Sequence, residues 1–391
     1  MSLKEIFCQD KAISILQRGF ASDKMPHAYI FAGAEGVGKF KTAREWAKML
    51  LCENPIITAE SAETAEKKHE INSAYSATIS GFADSCGACE SCRLFEADSH
   101  PDFNLIYKEL LEFTKDNKSK KTPVDLAIDV IREFLIEKLS TRPTLSKRKV
   151  YVISEAERLN DSSQNAMLKV LEEPPGYCTI ILLCTRMEML LATTKSRCRT
   201  VRFLSIDTER IIDRLGAMGL EGEKAQYFAQ LSQGSLGQGC QWARLELADA
   251  NIYQTKKELV SSLATYKLAD CLTLAEWLLE KGKKIAAAWE SIENATSKTD
   301  INRKAQKILI QIIISALHDA MKINIAESQI LINSDQQEQI KSIAERFSSE
   351  QSAEKIADAY KTMQWIESNV NEKLIFEQLL LNLVVSDTIK V

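Results

Sequence analysis

The chain is 391 residues long and 45% hydrophobic, enough for two or three domains with cores of their own and too apolar for general disorder. Its 50 Lys and Arg against 54 Asp and Glu leave a net charge of −4, so no global basic field exists to hold nucleic acid non-specifically, and any such contact must be local or shared with partners. The first residues lack the apolar core of a signal peptide and no apolar run approaches the roughly 18 residues of a membrane helix, so a cytoplasmic protein that contacts no membrane is expected.

Apolar periodicity predicts a helix over residues 11–20, and residues 29–32 read as a short buried strand. That strand runs into Gly33-Ala34-Glu35-Gly36-Val37-Gly38-Lys39-Phe40, which has the spacing of a phosphate-binding P-loop, and a helix is expected over residues 39–51. Gly33, Gly36, Gly38 and Lys39 are the candidate phosphate contacts, since a strand, a glycine loop and a helix in that order are what the cradle needs. Phe40, however, stands where a hydroxyl should hold Mg²⁺, and a phenyl ring cannot ligate a metal.

Residues 53–85 are rich in Ala, Ser, Thr and Glu, and read as an inserted excursion, partly helical or mobile, at a surface loop. Cys86-Gly87-Ala88-Cys89-Glu90-Ser91-Cys92 then places three thiols at two consecutive C-x-x-C spacings, which lets neighbouring sulfurs reach one tetrahedral zinc ion. Cys52 is the preferred fourth ligand and His100 its competitor; Cys8, Cys178, Cys184, Cys198, Cys240 and Cys271 read as small core residues.

A second strand is expected over residues 103–107, a charged loop over 115–122, and an amphipathic helix over 124–139. Residues 150–153 form a further strand, and it ends at Ser154-Glu155, where the acid that would complete a magnesium shell is replaced by Ser154. Glu155 reads as a relic or a helix-capping acid. A helix over 162–173 is stopped by Pro174 and Pro175, and 179–184 is an apolar strand. Strands alternating with helices predict a parallel sheet covered on both faces. After Phe203 the strand signals vanish: helices are expected over 208–219 and 223–232, then long amphipathic helices without Pro from about 248 to the last residue, with the stripe Ile308 to Ile314 as core.

The stretch Lys149 to Asn160, with Asn165-Ala166-Met167-Leu168-Lys169-Val170-Leu171-Glu172-Glu173-Pro174-Pro175 and Ser196-Arg197-Cys198, resembles the AAA+ module of bacterial DNA polymerase III clamp-loader subunits. His27-Ala28-Tyr29-Ile30-Phe31 and Ser99-His100-Pro101-Asp102-Phe103 fit the same family, and the resemblance covers roughly residues 5–240. It implies an α/β AAA+ P-loop domain at 1–204 with a zinc module at 52–92, a helical lid at 205–247 and an all-helical collar at 248–391. The motor subunits of the family, gamma and tau, resemble intact ATPases with Ser or Thr after the loop lysine, an Asp-Glu pair and a lid arginine; here those positions read Phe40, Ser154 and Gly237. The pattern is similar to the delta prime type, which implies a stator that hydrolyses no ATP and lends Arg197 as an arginine finger to a neighbour. Its implied partners are gamma or tau and delta in a hetero-pentamer, with the sliding clamp and primed DNA reached through that complex. The four-cysteine module is common to both subunit types, and the spacing from Cys52 to Cys86 is longer than the family's. A divergent gamma-like ATPase, and a zinc-stabilised interaction protein outside replication, are the alternative readings.

Overall fold

The structure, a computed structural model, describes residues 2–21, 25–58, 82–115, 125–293, 298–325, 330–366 and 371–384. It divides into two compact units, residues 1–205 and 206–391.

The first unit is built on five parallel strands: β1 (Ala28–Ala32), β4 (Phe103–Ile106), β5 (Lys149–Ile153), β6 (Cys178–Cys184) and β7 (Arg199–Arg202), in the spatial order β4-β5-β6-β1-β7. All five residues of β1 are buried, and they divide by parity. Tyr29 and Phe31 join a cluster with Leu16, Trp46, Val152 and Leu183, whereas Ala28, Ile30 and Ala32 join Ile131, Leu135, Tyr151 and Met167. A strand apolar on both sides must be covered on both sides. One face carries α1 (Asp10–Ala21) and α2 (Lys39–Leu51); the other carries α5 (Asp161–Glu172) and the segment called α4, which runs from Ile128–Ile131 through a π-helical Arg132–Ile136 into Glu137–Leu139. This is the expected α/β fold with a parallel sheet covered on both faces, and it sets the glycine loop at the end of β1, between β6 and β7.

Two local expectations need correction, and one strand was not foreseen. The segment expected to be helical from residue 124 is helical only from Ile128, because Leu126 is drawn into a parallel bridge with Leu159 and its N–H donates to the Arg158 carbonyl at 2.9 Å. The excursion after Cys52 is neither helical nor structureless at its ends: β2 (Ile56–Thr58) and β3 (Phe82–Asp84) pair antiparallel, and the residues between them lie outside the described ones, as does most of the expected 115–122 loop. β7 carried no strand signal, since arginines at both ends leave only Val201 fully buried, yet its backbone pairs along β1 from Tyr29–Arg199 to Ala32–Arg202. A charged edge strand of this kind resists further pairing.

The second unit contains, among its described residues, only helices: α7 (Thr208–Gly216), α8 (Gly222–Leu231), α9 (Leu236–Leu247), α10 (Ile252–Thr265), α11 (Cys271–Ile292), α12 (Lys298–Ile325), α13 (Gln337–Ala344), α14 (Ser349–Trp365) and α15 (Glu372–Val384), with short 3₁₀ turns. Ile308, Leu309, Ile310, Ile312, Ile313 and Ile314 of α12 are all buried, as the apolar stripe requires. Contrary to the expectation that no segment approaches membrane-helix character, α12 is long and apolar enough to cross a membrane by length and composition, with 61% of its most apolar stretch buried inside the protein. Lys256 is fully buried in this unit, paired with Asp335 and lying 4.8 Å and 5.2 Å from the ring centres of Tyr227 and Tyr253. A buried ammonium needs such a carboxylate and such ring faces.

Candidate functional site

Three sets of side chains in the first unit carry chemistry. In the glycine loop Gly36 has φ +75° and Gly38 φ +104°, a conformation that disfavours any side chain. Gly33 faces a different demand, because a Cβ there would stand 2.5 Å from the Phe203 carbonyl oxygen. Lys39 opens α2 and is 8% exposed, and its ammonium donates to the carbonyls of Gly33 and Ala34, both at 2.6 Å. Burial lowers its pKa, opposed by the charges of Glu157 and Glu35. The ammonium is thus bonded to the loop itself. Phe40 is 43% exposed beside it and supplies no oxygen.

The acidic side of the loop is equally altered. Ser154 follows β5 with its N–H donated to the Ile106 carbonyl at 2.8 Å. Glu155 has φ +49°, and its carboxylate pairs with Arg158 at 2.9 Å and with Lys108 at 3.4 Å. It is committed to local cations rather than capping a helix with its side chain. The acids whose charge acts on Lys39 are instead Glu157 and Glu35, and Glu157 also accepts the Thr185 N–H at 3.1 Å and the Thr185 hydroxyl. Gln9 was not singled out in the sequence: buried at the start of α1, its amide donates to Val37 at 3.0 Å and Leu204 at 2.9 Å and accepts from the Leu204 N–H. It ties the loop to the end of β7, and no local sequence pattern announces a residue whose partners are 28 and 195 positions away.

The cysteines converge. Cys52 caps the C-terminus of α2, Cys86-Gly87-Ala88-Cys89 makes a tight turn with Gly87 at φ +72°, and Cys92 lies in the first turn of α3 (Glu90–Glu96). Their four sulfurs lie within 4.8 Å of one another, with Cys52–Cys86 at 3.5 Å, Cys52–Cys89 at 3.9 Å and Cys86–Cys92 at 4.0 Å. Sulfurs each about 2.3 Å from a tetrahedral ion stand about 3.8 Å apart, so the set fits a metal and is far too open for disulfides. Backbone N–H groups of Cys86, Cys89 and Cys92 donate to the sulfurs of Cys52, Cys86 and Cys89 at 3.3–3.4 Å. Such bonds favour thiolate: backbone donors, that of Ala88 foremost, pull Cys86 down to about 6, while burial pushes Cys52 and Cys92 up. A divalent cation would resolve that conflict by holding all four as thiolates.

His100, the competing ligand, is engaged elsewhere. Its Nε2 meets the Ser91 hydroxyl at 2.9 Å, its Nδ1 accepts the Asp102 N–H at 3.1 Å, and burial lowers its pKa. Ser91 and Ser146 both donate to the Leu51 carbonyl, at 2.7 Å and 2.8 Å, so the imidazole braces the end of α2 next to Cys52 without joining the cluster. Asp102 completes this brace by accepting from the N–H groups of Thr144, Leu145 and Ser146.

Arg197 follows α6 (Ala192–Ser196) as its C-cap. Its side chain is 32% exposed; Nη1 donates to the Thr193 carbonyl at 2.9 Å and to Ser196 Oγ at 3.3 Å, and Nη2 donates to Glu172 Oε1 at 2.6 Å. The guanidinium reaches the surface, but a carboxylate of its own chain holds it. Gly237 lies exposed in the first turn of α9 with no side chain to offer.

Fold and site together define an α/β module: a parallel sheet covered on both faces, a glycine loop at the end of β1 with Phe40 after the loop lysine, and Ser154 after β5. The family model described as DNA polymerase III, delta subunit, matches residues 8–80 and 62–207, and one described as DNA polymerase III, delta subunit, C terminal, matches residues 294–384. The chain belongs to this family of DNA polymerase III subunits. It is 23% identical to DNA polymerase III subunit delta' of Bacillus subtilis (strain 168) over 96% of each chain. It is 26% identical to subunit tau of Escherichia coli (strain K12) over 72% of its own length, but spans only 39% of that longer relative. Among solved structures, a gamma subunit-related protein of DNA polymerase III from Thermotoga maritima aligns over 95% of this chain and 97% of that one at 17% identity, with a TM-score of 0.36.

Proposed function

We propose that this chain is the delta prime-type stator of a bacterial clamp loader: it hydrolyses no ATP and acts on nucleotide bound by the adjacent motor subunit. The observation that carries this reading is one contrast within a single unit. The glycine loop has Phe40 and Ser154 in place of both magnesium ligands and Lys39 bonded to its own carbonyls, while the Ser196-Arg197-Cys198 turn keeps a guanidinium at the surface. In the neighbour's site water attacks the γ-phosphorus as the bond to the β-phosphate oxygen breaks, and charge grows on the γ-oxygens. Arg197, planar and always charged, supplies N–H donors to those oxygens. The partners on this reading are gamma or tau and delta in a hetero-pentamer, with the sliding clamp and primed DNA reached through the complex in the cytoplasm. Residues 1–204, 205–247 and 248–391 would serve as AAA+ domain, lid and collar.

Cys52, Cys86, Cys89 and Cys92 would hold one zinc ion, whose closed shell supplies folding energy and no reaction step.

The test is Arg197→Ala in the reconstituted loader. Arginine fingers are worth roughly 10³ to 10⁵ in rate where measured, so one interface should fall silent while assembly and the other sites persist. DNA-stimulated ATP turnover and clamp loading should drop, and Arg197→Lys should rescue poorly because an ammonium lacks the planar fork. Wild-type loading by the Arg197→Ala complex would refute the role. Magnesium-dependent turnover by the isolated chain, above a Lys39→Ala control, would favour the gamma-like alternative.

A further inference from the structure

Glu172 occupies an electrostatically poor position. It is the last residue of α5, where unpaired carbonyls already concentrate partial negative charge, and a carboxylate there is disfavoured. Glu173 follows as the C-cap and Pro174-Pro175 bar further helix, so the acid cannot relax into another turn. What offsets this placement is Arg197, 25 residues on, at 2.6 Å. The arginine is in turn steadied by Thr193 and Ser196, so the turn that carries it keeps its shape whatever the partner of Nη2. The carboxylate grips the guanidinium through a single Nη2–Oε1 contact, not the two-pronged fork that would lock it, and both side chains are open to solvent, at 32% and 49% exposure.

We infer that Glu172 is a parking carboxylate for Arg197: in the free subunit it holds the guanidinium on its own surface, and it yields the Nη2 donor to the more highly charged γ-phosphate of a neighbour's nucleotide. The inference rests on the trans-acting reading of Arg197. Glu172 is a positioning residue that touches no substrate; it competes with other anions for the arginine and sets a threshold that the γ-phosphate overcomes. An exposed ion pair shifts an equilibrium by at most about five-fold, so the threshold is small and reversible.

The experiment uses Glu172→Gln, which is isosteric and half-exposed, in the full chain and in the reconstituted loader. In the isolated chain with ¹⁵N-labelled arginine, the Arg197 side-chain signals, assigned by Arg197→Lys, should show faster rotation about the guanidinium bonds with no change in melting temperature. In the loader the ATP concentration giving half-maximal DNA-stimulated turnover should fall two- to five-fold at unchanged maximal rate. In an Arg197→Ala background, Glu172→Gln should leave the ATP dependence of turnover unchanged. A raised half-saturation point or a lowered maximal rate would make Glu172 an aligning or structural residue and overturn the parking role. An unshifted half-saturation point, with Arg197→Ala still defective, would overturn the parking role alone, whereas wild-type turnover by the Arg197→Ala loader would overturn both it and the proposed function.

Discussion

The glycine loop and the cysteine cluster are both ligand sites by sequence, and they differ in the partners their polar atoms find within the chain. In the loop, the Lys39 ammonium donates to the carbonyls of Gly33 and Ala34. In the cluster, four sulfurs within 4.8 Å have mainly weak N–H and thiol partners, and burial and backbone donors pull their protonation in opposite directions. The difference lies in reach, since a lysine can fold back onto its own loop whereas four short thiols can only converge on something between them.

The largest effect should come from breaking the cluster. Cys92→Ser is expected to lower metal content from one zinc per chain to near zero by elemental analysis and to unfold the zinc module, since structural zinc in small modules is worth on the order of 10 kcal/mol at neutral pH. Retention of stoichiometric zinc would show that the sulfurs do not act as one site. Lys39→Met tests the loop's self-satisfaction. It strips donors from two carbonyls in a mostly buried setting and should cost about 1–3 kcal/mol in denaturant unfolding, with or without nucleotide. A wild-type midpoint would mean the ammonium is not a strut.

His100→Ala sharpens the boundary between cluster and support. Metal content should stay at one per chain while stability falls by about 1–2 kcal/mol, because Ser91 loses its imidazole partner but keeps its bond to Leu51. Loss of the metal would restore His100 as a ligand. The smallest effect is expected of Phe40→Thr. A surface change of this kind stays within about 0.5 kcal/mol, and ATP turnover of the isolated chain should remain at background because Ser154 and Gly237 are untouched. Measurable turnover would mean that one hydroxyl suffices to reawaken the site.

Much of this was legible without coordinates wherever the signal is local. α2 runs from Lys39 to Leu51 as expected, because a glycine loop before it and Cys52 in extended conformation after it fix both ends. β1, β5 and β6 are continuous apolar runs, and such runs in a chain that alternates with helices have one home, the middle of a covered parallel sheet. β7 was illegible for the opposite reason: its arginines mark an edge, and an edge strand is defined by what it pairs with, here β1, some 170 residues earlier in the chain. The β2–β3 hairpin was hidden likewise, since Ile56 and Ile57 are exposed and alternate with nothing.

The sequence by itself determined which chemistry is present and which is missing: the loop's glycines and Lys39, the absence of an oxygen at Phe40 and of an acid at Ser154, and three of the four sulfurs at metal spacing. Only the tertiary structure decided how those groups are spent. It folded Lys39 onto its own loop, set Cys52 rather than His100 beside the other thiols, turned Glu155 to Lys108 and Arg158, and set Glu172 against Arg197. The reason is the range of the interactions. Backbone conformation and metal-ligand turns are set by neighbours a few residues away, whereas the partner of a charge is whichever opposite charge or carbonyl the packed sheet and helices bring within about 3 Å of it.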